Sequence, residues 1–311
     1  MELRRLRLLD QLARLGTVSA VAEALSYSPS SVSVQLAQLE REAGVKLLRR
    51  AGRNVELTPA GRRLASHAAD ALAADEAVRA ELAAVGDAPG GLLRMTIVQT
   101  PALALLPATL DGLAATAPGL QVEVHQRETA PALEELRSRA VDLVVGIEYD
   151  PVPVARQRDV SRRDLLREDV LIAVHPGHPL AAHRPVALSA CEDAAWATGH
   201  PGTGLDAVLR NVCNRLAGFE PRIQHRSDDG LVLGALVASR RAVALLPALL
   251  TAALPQIAAR PLREERLQRT IFTAIRATAA EAPAVIAVQR ALREAAAAIA
   301  HDRPDIEVIA S

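Results

Sequence analysis

The sequence predicts an α/β protein in two parts, an N-terminal all-α winged helix-turn-helix and a two-lobed α/β domain, joined by one long helix. Three observations predict it. The first is a charge asymmetry: the whole chain balances 36 Lys plus Arg against 36 Asp plus Glu, yet residues 1–65 hold eleven basic and six acidic side chains, a net of +5. The basic end and the mildly acidic body therefore read as different domains with different partners. The second is helical periodicity throughout the first part, interrupted only by a short hairpin. The third is an alternation of apolar strands and amphipathic helices from residue 92 onward.

The composition narrows the class. A chain of 311 residues suggests about two domains. At 50% hydrophobic residues and no net charge it is not disordered. No apolar run approaches the roughly 20 residues that cross a bilayer, and the start MELRRLRLLDQLARLG lacks the features of a secretory signal, so a soluble, cytoplasmic protein is expected. Cys191 and Cys213 form no CxxC pair and no disulfide framework. Lys46 is the only lysine, so abundant arginine reflects compositional bias and is weak evidence of nucleic-acid binding by itself.

Leu3, Leu6, Leu9, Leu12 and Leu15 fall at three-residue steps, the apolar stripe of a first helix that Gly16 stops. Residues 19–25 form a short second helix. Ser28-Pro29 then supplies a cap and a proline at the first helical position. The third helix runs from Pro29 to about Ala43, burying Val32, Leu36 and Leu39. Its outer face carries Ser30, Ser31, Ser33, Val34, Gln35 and Gln38. Two short helices joined by a tight turn, the second with a polar outer face, suggest a helix-turn-helix. Leu47–Arg50 and Val55–Leu57 read as strands of a wing with Arg50 and Arg53 at its tip. A helical dimerisation or protein-binding module with a solvated polar face is the alternative.

Thr58-Pro59 starts a further helix that runs to Val85. Leu64, Ala68, Ala71, Asp75, Val78, Leu82 and Val85 step along it by four and three, a heptad seam suited to pairing with a second copy. Residues 86–91 are a linker. Strands at Leu92–Val98, Leu120–Val124 and Val141–Ile147 enclose helices at Pro101–Ala115 and Pro131–Arg139, the βαβαβ pattern of a mostly parallel sheet. An irregular stretch follows at 150–163. Further strands are expected at Asp169–His175, Ala242–Leu246 and Arg269–Arg276. Helices are expected at Asp206–Leu216, Leu231–Ser239, Ala248–Ala253 and Pro283–Ala300, with a tail at 302–311. Crossings near 148–165 and 258–268 would give two lobes with a cleft between them.

With these elements in place, the chain resembles the LysR-type transcriptional regulators. The likeness lies in MELRRLRLLDQLARLGTVSAVAEALSYSPSSVSVQLAQLEREAGVKLLRRAGRNVELTPAG, and further on in LIAVHPGHPLA, Trp196–Gly199, GFEPRI and AVALLPALL. The resemblance implies a winged helix-turn-helix at 1–58 and a dimerising linker helix at 59–86. It implies a periplasmic-binding-protein-like effector domain at 91–301, with lobe I at 91–160 and 268–301 and lobe II at 161–267. It further implies double-stranded operator DNA, a small-molecule effector and a second copy of the chain, as dimer or tetramer, as partners, and leaves RNA polymerase open as another.

By position, the resemblance starts the recognition helix at Ser28 and puts base reading on Pro29, Ser30, Ser33 and Val34, with Ser31 on the same face. Gln is typical where Pro29 stands and Arg where Val34 stands, so direct base readout is expected to be weaker than usual. Gln35 offers a bidentate amide to adenine if it faces the groove. Arg50 and Arg53 would supply minor-groove and phosphate contacts. In the effector domain, Thr100-Pro101, Thr129 and Gly202-Thr203 stand at helix starts, where orphan N–H groups suit an anion, and Ile147 and Glu148 end a strand beside them. The competing reading makes each threonine a plain helix cap. No positively charged residue can be assigned to this pocket from sequence.

Other chemistry is not expected. His175 and His178 lack the Cys, Asp or Glu companions of a metal site, so neither metal nor cofactor is anticipated. GHPGTG at 199–204 has no phosphate-binding spacing, and no GxSxG or HExxH occurs. A regulatory thiol switch at Cys191 and Cys213 is the alternative to structural burial, but only Arg210 and Arg215 stand near enough in sequence to lower a thiol pKa, and burial is the default. A cytoplasmic α/β small-molecule-binding protein or enzyme with a helical dimerisation module remains the second reading, without a catalytic constellation to support it.

Overall fold

The computed structural model describes residues 1–311 apart from Ser26, Gly52, Arg53, Val85–Ala88, Asp302, Pro304, Ala310 and Ser311. The first three helices are α1 (Leu3–Leu15), α2 (Val18–Ala24) and α3 (Pro29–Ala43). Each boundary has a local cause. Gly16 and Gly44 end α1 and α3 at positive φ, 76° and 67°, a backbone region that glycine enters without a Cβ penalty. The Thr17 hydroxyl accepts from Ala20 N at 3.1 Å, and the Ser28 hydroxyl accepts from Ser31 N at 3.2 Å. Leu6, Leu9 and Leu12 of α1 are buried, and so are Leu8, Asp10 and Gln11. The buried surface is wider than a three-step stripe because α1 packs on α2 and α3 on one side and on α4 on the other. Asp10 is compensated by Arg14 Nε at 3.2 Å.

The wing is an antiparallel pair, β1 (Leu48–Ala51) and β2 (Asn54–Leu57). Its turn, with Arg53, lies outside the described residues. The Thr58 hydroxyl donates to the Lys46 carbonyl at 2.7 Å and accepts from Gly61 N at 3.0 Å, tying the wing base to the start of α4 (Pro59–Ala84). A Cβ on Gly61 would stand 2.1 Å from the Leu47 carbonyl oxygen, so the helix can approach the wing this closely only at a glycine. With 26 residues, α4 spans about 39 Å.

The heptad seam of α4 is not one continuous stripe. Leu64, Ala68 and Ala71 pack into the chain's own helical core. Asp75 accepts from Arg79 Nε of the same helix at 2.8 Å. Only Val78 and Leu82 project outward, 52% and 68% exposed, and Val85 lies outside the described residues. The first half of the seam is occupied within the chain because α1 needs an apolar partner there.

Beyond α4 come β3 (Gly90–Ile97), α5 (Gln99–Thr116), β4 (Gly119–Gln126), α6 (Thr129–Arg137) and β5 (Leu143–Tyr149), then β6 (Val160–Val174), β7 (Ala195–Thr198), α7 (Gly204–Val212), β8 (Arg222–Arg226) and α8 (Gly230–Ala238). The chain closes with β9 (Ala244–Pro247), α9 (Ala248–Ala252), β10 (Ala258–Arg260), β11 (Gln268–Arg276), α10 (Pro283–Ala300) and β12 (Ile306–Val308). The main sheet runs β10-β6-β11-β5-β3-β4, with β9 and β12 also paired to β6.

Three expectations are corrected here. Only the β4-β3-β5 part of the sheet is parallel; every other pairing in it is antiparallel. The irregular stretch ends at Val160, where β6 begins. Its first ten residues pair with β11 and its remainder with β9 and β10, so one strand threads both lobes. Part of the expected tail is also a strand, since β12 pairs with Leu166–Glu168 of β6. The sequence hid these strands because their outward positions carry arginine and acid, as in VSRRDLLRED, which breaks any apolar run.

The main apolar cluster runs through both lobes, from Leu93 and Met95 of β3 to Trp196 of β7, and smaller clusters lie around α8 and α6.

Candidate DNA face and interlobe cleft

On α3, Ser28, Pro29, Ser30, Ser33 and Val34 are solvent-exposed, Val34 at 60%. Their hydroxyls are organised locally: Ser28 and Ser30 lie 3.0 Å apart, and Ser33 donates to the Pro29 carbonyl at 2.9 Å. Ser31 is half-buried. Gln35 is turned toward α1, where its side-chain oxygen accepts from Arg5 Nε at 3.0 Å. That bond uses one of the oxygen's two lone pairs and directs the Gln35 amide toward α1. Arg50 is exposed on β1 with no carboxylate partner among the described residues, whereas its neighbour Arg49 is held by Glu56 at 2.8 Å. Glu40 anchors the wing. It accepts from Leu47 N and Leu48 N at 2.8 and 3.0 Å, and although burial pushes its carboxyl up, these N–H bonds hold it below its usual range. The arrangement is a helix whose exposed face carries short polar side chains, beside the exposed Arg50 guanidinium, which no carboxylate holds among the described residues.

Between the lobes lies a cavity of about 50 Å³. Thr100 and Thr203 line it, from lobe I and lobe II. Gln99, Glu128, Tyr149, Asp228 and Arg269 line it too, and sequence reasoning missed all five. Ile147, Glu148 and Gly202 instead line an adjoining pocket of about 340 Å³, which shares Tyr149 and Thr203 with the first. Pro101 and Thr129 line neither. The Thr129 hydroxyl accepts from Ile147 N at 3.0 Å and donates to the Ile147 carbonyl at 3.2 Å, pinning α6 to β5. The three threonine hydroxyls therefore do not converge on one cavity. Glu148 accepts from Val154 N at 2.6 Å and meets Arg162 Nη2 at 2.7 Å. Burial pushes its carboxyl up, but Arg162 and the Val154 N–H outweigh this and keep it low.

Two features of the cleft carry its electrostatics. Its floor is Arg269, buried, with Nε and Nη2 both donating to Glu168 at 2.9 and 2.7 Å. Glu168 also accepts from Leu249 N at 2.7 Å, so this ion pair joins β6 and β11 to the start of α9. Its one sequence signal was an arginine at the start of the strand Arg269–Arg276, whose middle, TIFTAI, carries no charge. The rim carries opposite charge: burial, then Asp228, push the Glu128 carboxyl up from its ordinary value. Across the opening, Gln99 of α5 grips α8. Its Nε2 donates to Asp229 at 2.8 Å, and its Oε1 accepts from Gly230 N at 2.7 Å.

A helix-turn-helix with a wing, a long helix and a two-lobed cleft define a DNA-binding regulator with a ligand-binding domain. Comparison with known proteins places it. Residues 3–62 match the family described as bacterial regulatory helix-turn-helix protein, lysR family, and residues 86–297 match the LysR substrate binding domain. The chain belongs to the LysR family of DNA-binding transcriptional regulators. It is 37% identical over 167 residues to a probable hydrogen peroxide-inducible genes activator of Mycobacterium xenopi, covering 54% of this chain and 86% of that one. It is 28% identical over 247 residues to the transcriptional dual regulator GltC of Bacillus subtilis, covering 79% of this chain and 81% of that one. A full-length OxyR variant from Pseudomonas aeruginosa has the same fold, with a TM-score of 0.69 at 22% identity over 94% of this chain and 95% of that one. Among the described residues no helix is long and apolar enough to cross a membrane.

Proposed function

We propose that this LysR-family chain acts in the cytoplasm, without catalysing a reaction, by seating α3 in the major groove of an operator while Arg50 and Arg53 reach the backbone and minor groove. The observation that carries this reading is the solvent-exposed face of Ser30, Ser33 and Val34 beside the exposed Arg50. Serine hydroxyls bond bases or phosphates, and Val34 offers an apolar contact to a thymine methyl. With no long polar reader at position 29 or 34, sequence preference rests more on DNA shape than on base edges.

The second half of α4, with Val78 and Leu82 outward, is the surface proposed for pairing with a second copy. A small effector between the lobes changes lobe closure and thereby the spacing of paired winged helices. Thr100, Thr203, Gln99 and Arg269 are the residues placed to meet it.

The test is binding of the purified protein to duplex DNA from upstream of its own coding region, by fluorescence anisotropy across a salt series. Specific binding that survives competitor DNA and falls steeply with salt supports the reading. Failure to bind that duplex or a randomised pool removes it.

A further inference from the structure

A second opening lies away from the interlobe cleft. It is a crevice of about 640 Å³ where α1, the α2–α3 turn, α4 and lobe I meet, a volume in the range of small-molecule sites. Its lining is mixed. Leu3, Leu8, Leu25 and Leu72 supply apolar surface, and five arginines, Arg4, Arg7, Arg79, Arg94 and Arg139, supply the charge.

Two acids, Asp75 and Glu76, share the lining, and both have partners. Asp75 accepts from Arg79 at 2.8 Å. Glu76 accepts from Arg276 Nε at 2.6 Å and also from the Thr278 hydroxyl, and lies 3.9 Å from Arg139. Among the described residues, Arg4 and Arg7 pair with no carboxylate. Arg4 lies over the Tyr27 ring, 5.2 Å from its centroid, and Arg7 Nη2 donates to the Arg139 carbonyl at 2.9 Å. Among the described residues, Arg7 Nε and Arg139 Nε are buried donors with no acceptor. Such donors are costly to leave unsatisfied, and clustered guanidinium groups repel one another. Burial holds the Arg7 and Arg139 guanidinium groups below their ordinary value, and Arg276 adds to the effect at both.

We propose that this crevice is a second ligand site, distinct from the interlobe cleft, for a small multivalent oxyanion with an apolar body. The guanidinium fork matches both phosphate and carboxylate geometry, and the lining leucines accommodate the body. An anion there is held at once by α1 of the DNA-binding unit, by α4 and by lobe I. It therefore fixes the DNA-binding unit against the sensor, whatever occupies the cleft.

Equilibrium dialysis of the full-length protein tests this, with radiolabelled inorganic pyrophosphate and, separately, citrate at low salt. The expected result is one saturable site per chain for at least one probe. Binding weakens tenfold or more in Arg7→Gln and in Arg94→Gln and is unchanged in Arg50→Gln. Pyrophosphate alone points to a phosphorylated ligand, citrate alone to a polycarboxylate. Should Arg7→Gln fail to fold by circular dichroism, Arg94→Gln carries the test, because its side chain is half exposed. Absence of saturable binding for both probes overturns the proposal, as does binding that weakens equally in Arg50→Gln, which would place the anion on the DNA face.

Discussion

Arg276, the last residue of β11, reaches out of lobe I and donates to Glu76 of α4 at 2.6 Å. The same guanidinium donates to the Leu136 carbonyl at 2.8 Å, to the Val141 carbonyl, and to Asp142 at 2.9 Å. One side chain thus locks the α6–β5 connection and ties it to the linker helix. Glu76→Gln removes the charge opposite a largely buried guanidinium while leaving its lobe I bonds in place. It should cost about 1–3 kcal/mol and accelerate amide exchange in the second half of α4, read by hydrogen-exchange mass spectrometry, with lobe II unaffected.

The Arg269–Glu168 pair predicts a non-additive cycle. Removing one partner strands a buried charge, so Arg269→Met alone should destabilise by about 3–5 kcal/mol. The double variant Arg269→Met with Glu168→Leu should recover a substantial part of that loss, because no ion remains in the core. Urea denaturation midpoints of the two singles and the double decide it; additive losses would show that the pair does not act as a unit.

The rim carboxylate gives a pH dependence. Glu128 has a folded-state pKa raised by burial and by Asp228, so its ionisation opposes the folded state once the pH exceeds the unfolded value of 4.5. The penalty is absent well below that pH and complete above the folded value. Glu128→Gln should therefore raise the melting temperature at pH 7 and leave it unchanged near pH 3.5, in scans at both pH values.

Peroxide should leave the protein unmoved through its own thiols. Cys191 and Cys213 are fully buried, and burial pushes both thiols up to about 12, so almost no thiolate exists at neutral pH to attack an oxidant. Replacing both with alanine should leave DNA affinity with and without hydrogen peroxide indistinguishable from the parent. A peroxide response that disappears in the double variant would refute this reading.

Much of this architecture was legible in the residues. The Ser28-Pro29 and Thr58-Pro59 starts, the Gly16 and Gly44 stops and the Pro283 helix are local signals, and the structure realises each where local chemistry placed it. What depended on distant partners was not legible. The strands β7, β8, β10 and β12 are three to five residues long, too short to show a period. Thr129 looked like its fellow threonines until β5 claimed its hydroxyl, and the bond from Arg5 to the Gln35 oxygen carries no signal in the sequence. Gln99, Glu128 and Asp228 carry no motif at all. Their role arises only because folding brings two lobes face to face.

The interlobe bridge makes a prediction of its own. Gln99→Ala removes both contacts to the start of α8, and the lobes should separate. Small-angle scattering of the variant should show a larger radius of gyration than the parent, with an unchanged circular dichroism spectrum. An identical radius would mean that the core shared by the lobes, and not Gln99, sets closure.

The central claim is that the exposed face of α3 reads DNA, and a single side chain tests it most directly. Ser33 sits mid-face, exposed and bonded to its own helix at Pro29, so Ser33→Glu puts a negative charge against the duplex without disturbing the core. The measurement is duplex affinity by anisotropy, with Tm as the control. The account predicts a loss of at least a hundredfold in affinity at an unchanged melting temperature. Unaltered affinity would contradict it.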